Sequence, residues 1–360
     1  MEQDIIYMKR ALELAAKGRG YTNPNPMVGA VIVKNGKIIG EGYHERCGEG
    51  HAEVNAFRNA TEDTEGADIY VTLEPCSHYG KTPPCADLIV SKKIKRAVIG
   101  ALDPNPLVSG RGIERLKSAG IEVVTGVLAE ESIALNEIFM KYIRAKEPFV
   151  LAKWAMSLDG KIACHTGDSQ WISCVESRKE VQELRHRMMG ILVGVDTVIA
   201  DNPRLTCRLE NGKNPVRIIA DSKLRIPLDA TVLDGSVRTI IITTTQAPEE
   251  KQQALQEMQI ELLICDGADG RTDLLKAMKQ LGQMGIDSIL LEGGGNLMFS
   301  AIQAGIVDKV CCYVAPKIIG GADAKTPVEG RGFSSMKEVL ALDAMTVRTC
   351  GDDIVFEGYL

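Results

Sequence analysis

The sequence has few aromatic residues and no segment dominated by lysine and arginine. Phe, Trp and Tyr make up 4% of the 360 residues, and the formal net charge is -6. Proteins that bind nucleic acid concentrate basic side chains to neutralise phosphates, and many add aromatic rings on which bases stack. We therefore expect no nucleic-acid partner, although a few arginines placed together could still hold the phosphate of a small substrate.

Long apolar runs and a basic leader are missing as well. No stretch reaches the roughly 18 consecutive apolar residues of a membrane-spanning helix. The first segment, MEQDIIYMKRALELAAKG, places acidic residues ahead of apolar residues at helical spacing, unlike a secretion signal. Ten cysteines are too few for a disulfide scaffold at this length. The sequence predicts a cytoplasmic protein with no membrane association.

The order of the predicted elements indicates an α/β domain in the first half. A helix over residues 3–17 precedes two apolar runs joined by Asn35-Gly36, which is a strong hairpin signal. Apolar strands then alternate with helices, up to one long helix over residues 129–145. This alternation predicts a sheet that is largely parallel after the hairpin.

A second α/β domain follows a boundary predicted at Lys146-Glu147-Pro148. Proline cannot continue the preceding helix, and the segment PFVLAKWAMS begins a new apolar strand. Apolar strands then alternate again with helices, predicted near residues 176–188, 249–257, 271–281 and 295–303. The predicted domains are residues 1–146 and residues 147–360, in agreement with roughly 150 residues per domain.

Three candidate metal ligands stand near predicted helix starts in the first half. His51 opens the segment HAEVNA, Cys76 follows the apolar strand IYVTLEP, and Cys85 comes after eight intervening residues. We predict helix starts at both cysteines, and a helix N-terminus would favour the thiolate form that binds metal. Three nitrogen and sulfur ligands leave the fourth tetrahedral position open for water, as in catalytic zinc sites.

Glu53 stands two residues after His51 and could act beside the metal without binding it. Zinc lowers the pKa of a bound water, and Glu53 could take the water proton and return it to a leaving amine. The order H-x-E…P-C-x-x-C is the signature of zinc nucleobase deaminases. Here eight residues separate the cysteines instead of two, so a longer loop must lie between them.

Other interpretations of these residues remain open at this stage. Taken singly, a His-x-Glu pair is usually a helix cap, and two cysteines are usually buried thiols. His78 could be a fourth ligand, which would close the site and make a zinc-stabilised binding module. Glu53 distinguishes the two kinds of site, because a structural zinc site needs no neighbouring carboxylate.

Motifs along nearly the whole chain resemble those of the bifunctional riboflavin-biosynthesis deaminase/reductases of bacteria. In order, they are TNPNPMVGAVIV, HAEVNA, TLEPCSHYGKTPPC, DPNPLVSGRG, KWAMSLDGKIA, SQWIS, ADNPRLTCR and LEGGGNL. The long segment between the two cysteines distinguishes this family from tRNA and cytidine deaminases. The resemblance implies an N-terminal cytidine-deaminase-like, three-layer α/β/α domain and a C-terminal dihydrofolate-reductase-like α/β domain.

The resemblance also implies two reactions on one small phosphorylated substrate. The first domain, with one zinc ion, would remove the ring 2-amino group of 2,5-diamino-6-ribosylamino-4(3H)-pyrimidinone 5′-phosphate by hydrolysis. The second would use NADPH to reduce the ribosyl group to ribityl. We also expect a homo-oligomer. The alternative is a monofunctional nucleotide deaminase with a non-catalytic reductase-like domain.

The site residues implied by the resemblance fall into five groups. Glu53 and Lys153 are catalytic, and His51, Cys76 and Cys85 bind zinc. The deaminase substrate contacts are Asn25, His44, Ser77, His78, Lys81, Asp103 and Asn105. The reductase substrate contacts are Ser169, Arg185, Leu205, Arg208 and Glu292. The residues that line NADPH are Ala155, Trp171, Thr197, Asp201, Ser222, Gly294, Gly295 and Asn296.

The chemistry of several of these residues suits the implied role. Arg185 and Arg208 could grip a phosphate, because guanidinium groups match phosphate oxygens and keep their charge. Three consecutive glycines in SILLEGGGNLMFSAI could let a pyrophosphate approach the backbone at a helix start. The motif is not GxGxxG, so a standard Rossmann site is not predicted. Ser222 could hold the 2′-phosphate of NADPH.

Overall fold

The computed structural model describes residues 2–77, 79, 83–105, 109–268 and 270–360. The chain divides into two units, Met1–Lys146 and Glu147–Leu360. None of the helices in these ranges combines the length and the apolar character that crossing a bilayer requires.

The described residues of the first unit form a five-stranded sheet and its covering helices. The helices are α1 (Glu2–Ala16), α2 (Ala52–Arg58), α3 (Cys85–Ser91), α4 (Arg111–Ser118), α5 (Ala129–Leu135) and α6 (Glu137–Ala145). The strands are β1 (Gly29–Lys34), β2 (Lys37–Tyr43), β3 (Asp68–Leu73), β4 (Arg96–Ala101) and β5 (Glu122–Thr125). Their order in the sheet is β2-β1-β3-β4-β5.

The predicted hairpin and the predicted parallel strands are both confirmed. Strands β1 and β2 pair antiparallel, and positive φ angles at Asn35 and Gly36 make the turn between them. Strands β3, β4 and β5 pair parallel. Alternate residues of β1 enter two different cores: Ile32 packs with residues of α2 and α3, and Val31 packs with residues of α1. The sheet therefore has helices on both faces, as a three-layer α/β/α domain requires.

The prediction of one long helix over residues 129–145 is wrong. Helices α5 and α6 are separated at Asn136, which is 2% exposed and has φ -105° and ψ 23°. Its side-chain amide accepts a hydrogen bond from Met27 N at 2.8 Å and donates one to Met27 O at 2.9 Å. These bonds to a distant segment favour a break between α5 and α6 over one continuous helix. A local sequence pattern does not show a partner that lies so far along the chain.

The second unit contains a nine-stranded sheet. Its strands are β6 (Phe149–Ser157), β7 (Gly190–Gly194), β8 (Val216–Ala220), β9 (Thr239–Thr243), β10 (Glu261–Ile264), β11 (Ser288–Glu292), β12 (Lys309–Ala315), β13 (Asp343–Cys350) and β14 (Asp353–Tyr359). Its α-helices in the described residues are α7 (Val175–Arg187), α8 (Val195–Asp201), α9 (Glu249–Glu257), α10 (Leu274–Gln283) and α11 (Gly295–Gln303).

The nine strands follow the order β10-β9-β8-β7-β11-β6-β12-β14-β13. Strands β6 to β12 pair parallel, and β14 pairs antiparallel with both of its neighbours, β12 and β13. Two separate buried cores line the parallel part, one containing Val150 and Ile240 and the other Ile191 and Ile241. The sequence analysis did not predict α8, β13 or β14. Seven of the eight residues of β13 are exposed, so it lacks the apolar alternation that marks a half-buried strand.

Candidate active sites

The three predicted metal ligands meet beyond the C-terminal end of β3. His51 Nδ1 lies 3.6 Å from Cys76 Sγ and 3.3 Å from Cys85 Sγ, and all three ligand atoms lie within 4.8 Å of one another. Zinc bound tetrahedrally at about 2.0 Å from nitrogen and 2.3 Å from sulfur would place neighbouring ligand atoms about 3.5 Å apart. The donor set and its spacing therefore fit a zinc ion. No further His, Cys, Asp or Glu within the described ranges belongs to this group.

The elements that carry the ligands differ from prediction at one position. His51 precedes the first residue of α2, and Cys85 is the first residue of α3, but Cys76 lies in the loop after β3. The prediction of a helix start at Cys76 is therefore wrong. Its sulfur instead accepts a hydrogen bond from Cys85 N at 3.3 Å. Hydrogen bonds with the Cys85 thiol and then with His51 lower the pKa of Cys76 to about 4, which favours the thiolate.

Glu53 lies in the first turn of α2 and is 3% exposed. Together with His51 and Cys76 it lines a cavity of about 240 Å³. Burial raises the pKa of Glu53. A carboxyl with a raised pKa beside a metal site can hold and release a proton near neutral pH.

His44 and Asn25 form a hydrogen-bonded pair in the wall of this cavity. His44 is buried, which lowers its pKa, so the ring is neutral. Because Gly50 O, 3.1 Å away, can only accept, Nδ1 donates to it and Nε2 is left to accept from Asn25 Nδ2 at 3.3 Å. Because Asn25 Nδ2 is bonded to His44, the amide oxygen of Asn25 is the atom that can accept a hydrogen bond from a ligand.

The other predicted deaminase contacts have different placements. Asp103 and Asn105 line the same cavity. Ser77 Oγ is buried and has no hydrogen-bond partner in the described part of the chain. His78 and Lys81 lie outside the described residues.

Some residues of the cavity wall were not predicted. Glu74 precedes Pro75-Cys76, and Phe139 and Ile143 lie one turn apart on α6. The spacing of Phe139 and Ile143 is also that of an ordinary helix core, so the sequence offers no signal for a cavity there.

A group of one carboxylate and two cations lies at the C-terminal end of β11 in the second unit. Glu292 is opposite Lys153 because β11 and β6 pair in that register, and Lys153 Nζ is 3.6 Å from Glu292 Oε1. Arg185 of α7 binds Glu292 with both nitrogens of one edge, at 2.6 and 3.2 Å. Burial raises the pKa of Glu292, but Lys153 and Arg185 outweigh it and hold the value at about 2. A lowered pKa favours the charged form of Glu292, which lies beside both cations.

Two adjoining cavities, of about 500 and 250 Å³, surround this group and share Lys153, Ala155, Ile162 and Arg185. The predicted residues Ser169, Trp171 and Arg208 line the larger cavity, and Thr197, Asp201, Leu205, Glu292 and Gly294 line the smaller. Ser222, Gly295 and Asn296 line neither of them. Ser222 Oγ accepts a hydrogen bond from Thr272 N at 3.0 Å.

The glycine turn before α11 suits a ligand that needs bare backbone. Gly293 and Gly294 have φ angles of 84° and 83°, which other residues rarely adopt. A Cβ at either position would lie within 3.5 Å of Thr197 Oγ1 and would narrow the smaller cavity. This turn, next to a helix N-terminus and the Thr197 hydroxyl, fits the phosphates of a dinucleotide.

Two family models match the chain, one in each unit. The cytidine and deoxycytidylate deaminase zinc-binding region matches residues 1–101, and the RibD C-terminal domain matches residues 148–356. The riboflavin biosynthesis protein RibD of Actinobacillus pleuropneumoniae is 49% identical over 98% of this chain and 94% of its own length.

Solved structures are similar over the full length. A diaminohydroxyphosphoribosylaminopyrimidine deaminase/5-amino-6-(5-phosphoribosylamino)uracil reductase from Thermotoga maritima is 39% identical, with a TM-score of 0.88 and 99% of both chains covered. RibD of Acinetobacter baumannii is 37% identical, with a TM-score of 0.89 over 99% of both chains.

Proposed function

Because the chain belongs to the RibD family of riboflavin biosynthesis proteins, we propose which substrate and which residues serve its two reactions. The chain is a zinc-dependent deaminase and an NADPH-dependent reductase in one polypeptide. Its proposed substrate is 2,5-diamino-6-ribosylamino-4(3H)-pyrimidinone 5′-phosphate, which loses its ring 2-amino group before the ribosyl group is reduced to ribityl. The observation that carries the proposal is the meeting of His51, Cys76 and Cys85 beside the buried Glu53.

In the deaminase site, His51, Cys76 and Cys85 hold the zinc ion, which supplies an activated water. Glu53 would take a proton from that water at its carboxylate and deliver it to the leaving amino nitrogen. The water oxygen would bond to ring C2 as the C2–N bond breaks, so that ammonia departs as a neutral molecule and the second water proton stays on the pyrimidinedione. Asn25, fixed by His44, offers its amide oxygen to a donor group of the substrate. The unpartnered hydroxyl of Ser77 and the side chains of Asp103 and Asn105 supply further hydrogen bonds; His78 and Lys81 are proposed contacts on the family resemblance alone.

In the reductase site, bound NADPH would supply a hydride to C1′ of the ribosyl group; the C1′–O4′ bond would break, and O4′ would take up a proton. Glu292 holds Lys153 in the wall of both cavities, where its ammonium group can contact the reacting sugar. Arg185 already binds Glu292 with two nitrogens, so we assign the substrate phosphate to Arg208 and keep Arg185 as a neighbouring contact. Arg208 lines the larger cavity and has no ion pair among the residues that the structure describes.

The remaining proposed contacts surround this pair. Ser169 and Leu205 contact the substrate. The residues proposed to contact NADPH are Ala155, Trp171, Thr197, Asp201, Ser222, Gly294, Gly295 and Asn296. Ser222, Gly295 and Asn296 line neither cavity. They can contact NADPH only if the bound cofactor extends beyond both cavities.

The proposal extends to the organisation of the protein. We propose that the deaminase domain is residues 1–146 and the reductase domain residues 147–360, in line with the division of the chain after Lys146. We also propose a cytoplasmic homo-oligomer that binds no nucleic acid and no membrane. The unpaired state of all ten cysteines agrees with a reducing compartment.

The test follows both reactions in the purified protein. Supplied with the phosphorylated diaminopyrimidine, the protein should release ammonia without NADPH and should oxidise NADPH only when the deaminated product is present. The same substrate without its phosphate should react far more weakly at the reductase step if Arg208 grips the phosphate. Ammonia release with no NADPH oxidation would leave the monofunctional deaminase as the correct description.

A further inference from the structure

Glu74 is a buried carboxylate whose acceptor positions are filled by backbone N–H groups. It is 4% exposed. Its Oε1 accepts hydrogen bonds from Gly112 N at 3.0 Å and Ile113 N at 3.4 Å, and its Oε2 from Gly110 N at 3.0 Å and Asp103 N at 3.4 Å. An ionised carboxylate offers about four acceptor positions. Although Glu74 lines the deaminase cavity, it therefore has no acceptor position left for a substrate.

The N–H groups that bind Glu74 Oε2 belong to the two ends of one loop. Asp103 lies two residues after β4, and Gly110 directly precedes α4. Within this loop, Asn105 N donates to Asp103 Oδ1 at 2.8 Å, so the two proposed substrate contacts move together. One carboxylate oxygen thus holds both ends of the segment that carries them.

Glu74 is itself tied to the strand that leads to the zinc ligand. Its own N–H donates to Ala101 O at 2.9 Å, which extends the pairing of β3 with β4 by one residue. Pro75 and Cys76 follow directly. A Cβ at Gly112 would lie 2.2 Å from Pro75 O, so helix α4 packs against this point too closely for any side chain.

We propose that Glu74 is a positioning residue of the deaminase site. Through its four hydrogen bonds it fixes the loop of Asp103 and Asn105 at a set distance from Cys76, so that both side chains are in place to bind the pyrimidine ring. It touches neither the metal nor the substrate. The proposal rests on the assignment of Asp103 and Asn105 as substrate contacts under the proposed function.

The test is Glu74→Gln, which keeps the size of the side chain but turns an amide NH₂ toward two N–H donors. We expect the KM for the diaminopyrimidine to rise about tenfold or more while kcat changes less than about threefold, because substrate placement is lost and the proton carrier is kept. Amide hydrogen exchange at Gly110 and Gly112 should become faster. Zinc content should stay at that of the unchanged protein.

The matched control is Glu114→Gln. Glu114 lies in the first turn of the same helix α4 and is exposed, so this variant removes the same charge and leaves the four hydrogen bonds in place. It should leave KM unchanged. NADPH oxidation, measured on both variants with the deaminated product, shows that the rest of the chain is folded.

Two results would overturn the proposal. One is an unchanged KM and unchanged hydrogen exchange in Glu74→Gln. The other is a parallel loss of zinc and of kcat, which would restrict Glu74 to holding the Cys76 strand. If Glu74→Gln does not fold, Glu74→Asp, which keeps the acceptors on a shorter stem, should still raise the KM above that of the unchanged protein, and an unchanged KM in Glu74→Asp would overturn the proposal. Failure of the unchanged protein to release ammonia would contradict the proposed function and would not alter the exchange result.

Discussion

At the scale of single residues, the two proposed sites contain buried carboxylates whose pKa values are shifted in opposite directions. Burial raises the pKa of Glu53 in the deaminase site. Burial also raises the pKa of Glu292, but Lys153 and Arg185 outweigh this effect and lower it to about 2. A carboxyl with a raised pKa can carry a proton, whereas one held by two cations stays charged. Glu53 is therefore suited to proton transfer and Glu292 to orientation of Lys153.

Glu53→Gln should stop deamination and nothing else. The amide keeps the size of the side chain but cannot take up the proton, so ammonia release should fall at least about a hundredfold. Zinc content, measured by elemental analysis, should not change, because Glu53 is not one of the three ligands. NADPH oxidation with the deaminated product is the internal control. Ammonia release at the original rate would exclude Glu53 as the proton carrier.

Single residues of the deaminase site could be predicted from sequence where the chemistry is local. The order of His51, Glu53, Cys76 and Cys85 was enough to bring them together in one hypothesis, and the structure brings the ligand atoms within 4.8 Å. Glu74 could not be found in this way. Its partners are backbone N–H groups 29 to 39 residues further along the chain. Because every residue except proline has such a group, the sequence does not show which of them bind Glu74.

At the scale of elements, prediction succeeded where the signal lies inside the element. Asn35 and Gly36 adopt the positive φ angles that their hairpin turn needs. Helices α5 and α6 were predicted as one, because the break at Asn136 depends on Met27, more than a hundred residues away. Strand β13 was missed because its exposed residues show no alternation.

The break at Asn136 should be important for stability. Asn136→Ala would leave the N–H and C=O groups of Met27 buried without their partner, at a cost of about 2–4 kcal/mol in the free energy of unfolding. Urea unfolding monitored by circular dichroism measures the change. Asn59→Ala, at an exposed asparagine after α2, should cost less than about 1 kcal/mol. If both substitutions lower the free energy of unfolding by the same amount, the bonds to Met27 do not have the stabilising role assigned to them.

The Asp4 carboxylate joins helix α1 to the sheet, and its ionisation makes the free energy of unfolding depend on pH. Asp4 binds Arg96 at 2.8 and 3.0 Å and accepts a hydrogen bond from Tyr70 Oη at 2.9 Å. The bond with Arg96 lowers the pKa of Asp4 from 3.8 to about 2. Because the pKa is lower in the folded state, the stabilisation is complete above the unfolded value and is lost as the pH falls from about 4 to about 2.

Asp4→Asn should therefore destabilise the first unit at neutral pH and lose this effect in acid. The difference in unfolding free energy between the variant and the unchanged protein should be larger at about pH 6 than at about pH 3. Denaturant unfolding at both pH values measures it, and the subtraction removes other titrating groups that the two proteins share. A difference that does not shrink in acid would contradict the role assigned to the Asp4 carboxylate.

At the scale of the whole molecule, each unit has its own sheet and its own buried cores. The sequence analysis placed a domain boundary at Lys146-Glu147-Pro148 on the evidence of one proline and of the order of strands and helices. It could not predict the end of the second sheet, where β13 forms an edge strand. Exposed apolar side chains occur in β13 and in the segment before it, namely Met336, Val339, Leu340, Met345 and Val347. Exposed apolar side chains on an edge strand favour the proposed assembly of copies of the chain.

Val347→Glu should weaken this assembly. Val347 is 59% exposed, and a charge there would have to be buried against the partner copy. Sedimentation velocity should show a smaller species than that of the unchanged protein. Leu275→Glu, which alters an exposed apolar residue of α10 with 48% exposure, is the control and should leave the species unchanged. The same sedimentation for Val347→Glu and the unchanged protein would remove this edge from the interface.

The division after Lys146 also has an arithmetic consequence. Because both active sites lie on one polypeptide, every copy that is made brings one deaminase and one reductase, and transcription or translation cannot change that ratio. The balance between consecutive steps must then come from the relative turnover of the two sites. A substitution that slows one of them shifts the steady-state level of the deaminated intermediate, even when the amount of protein is constant.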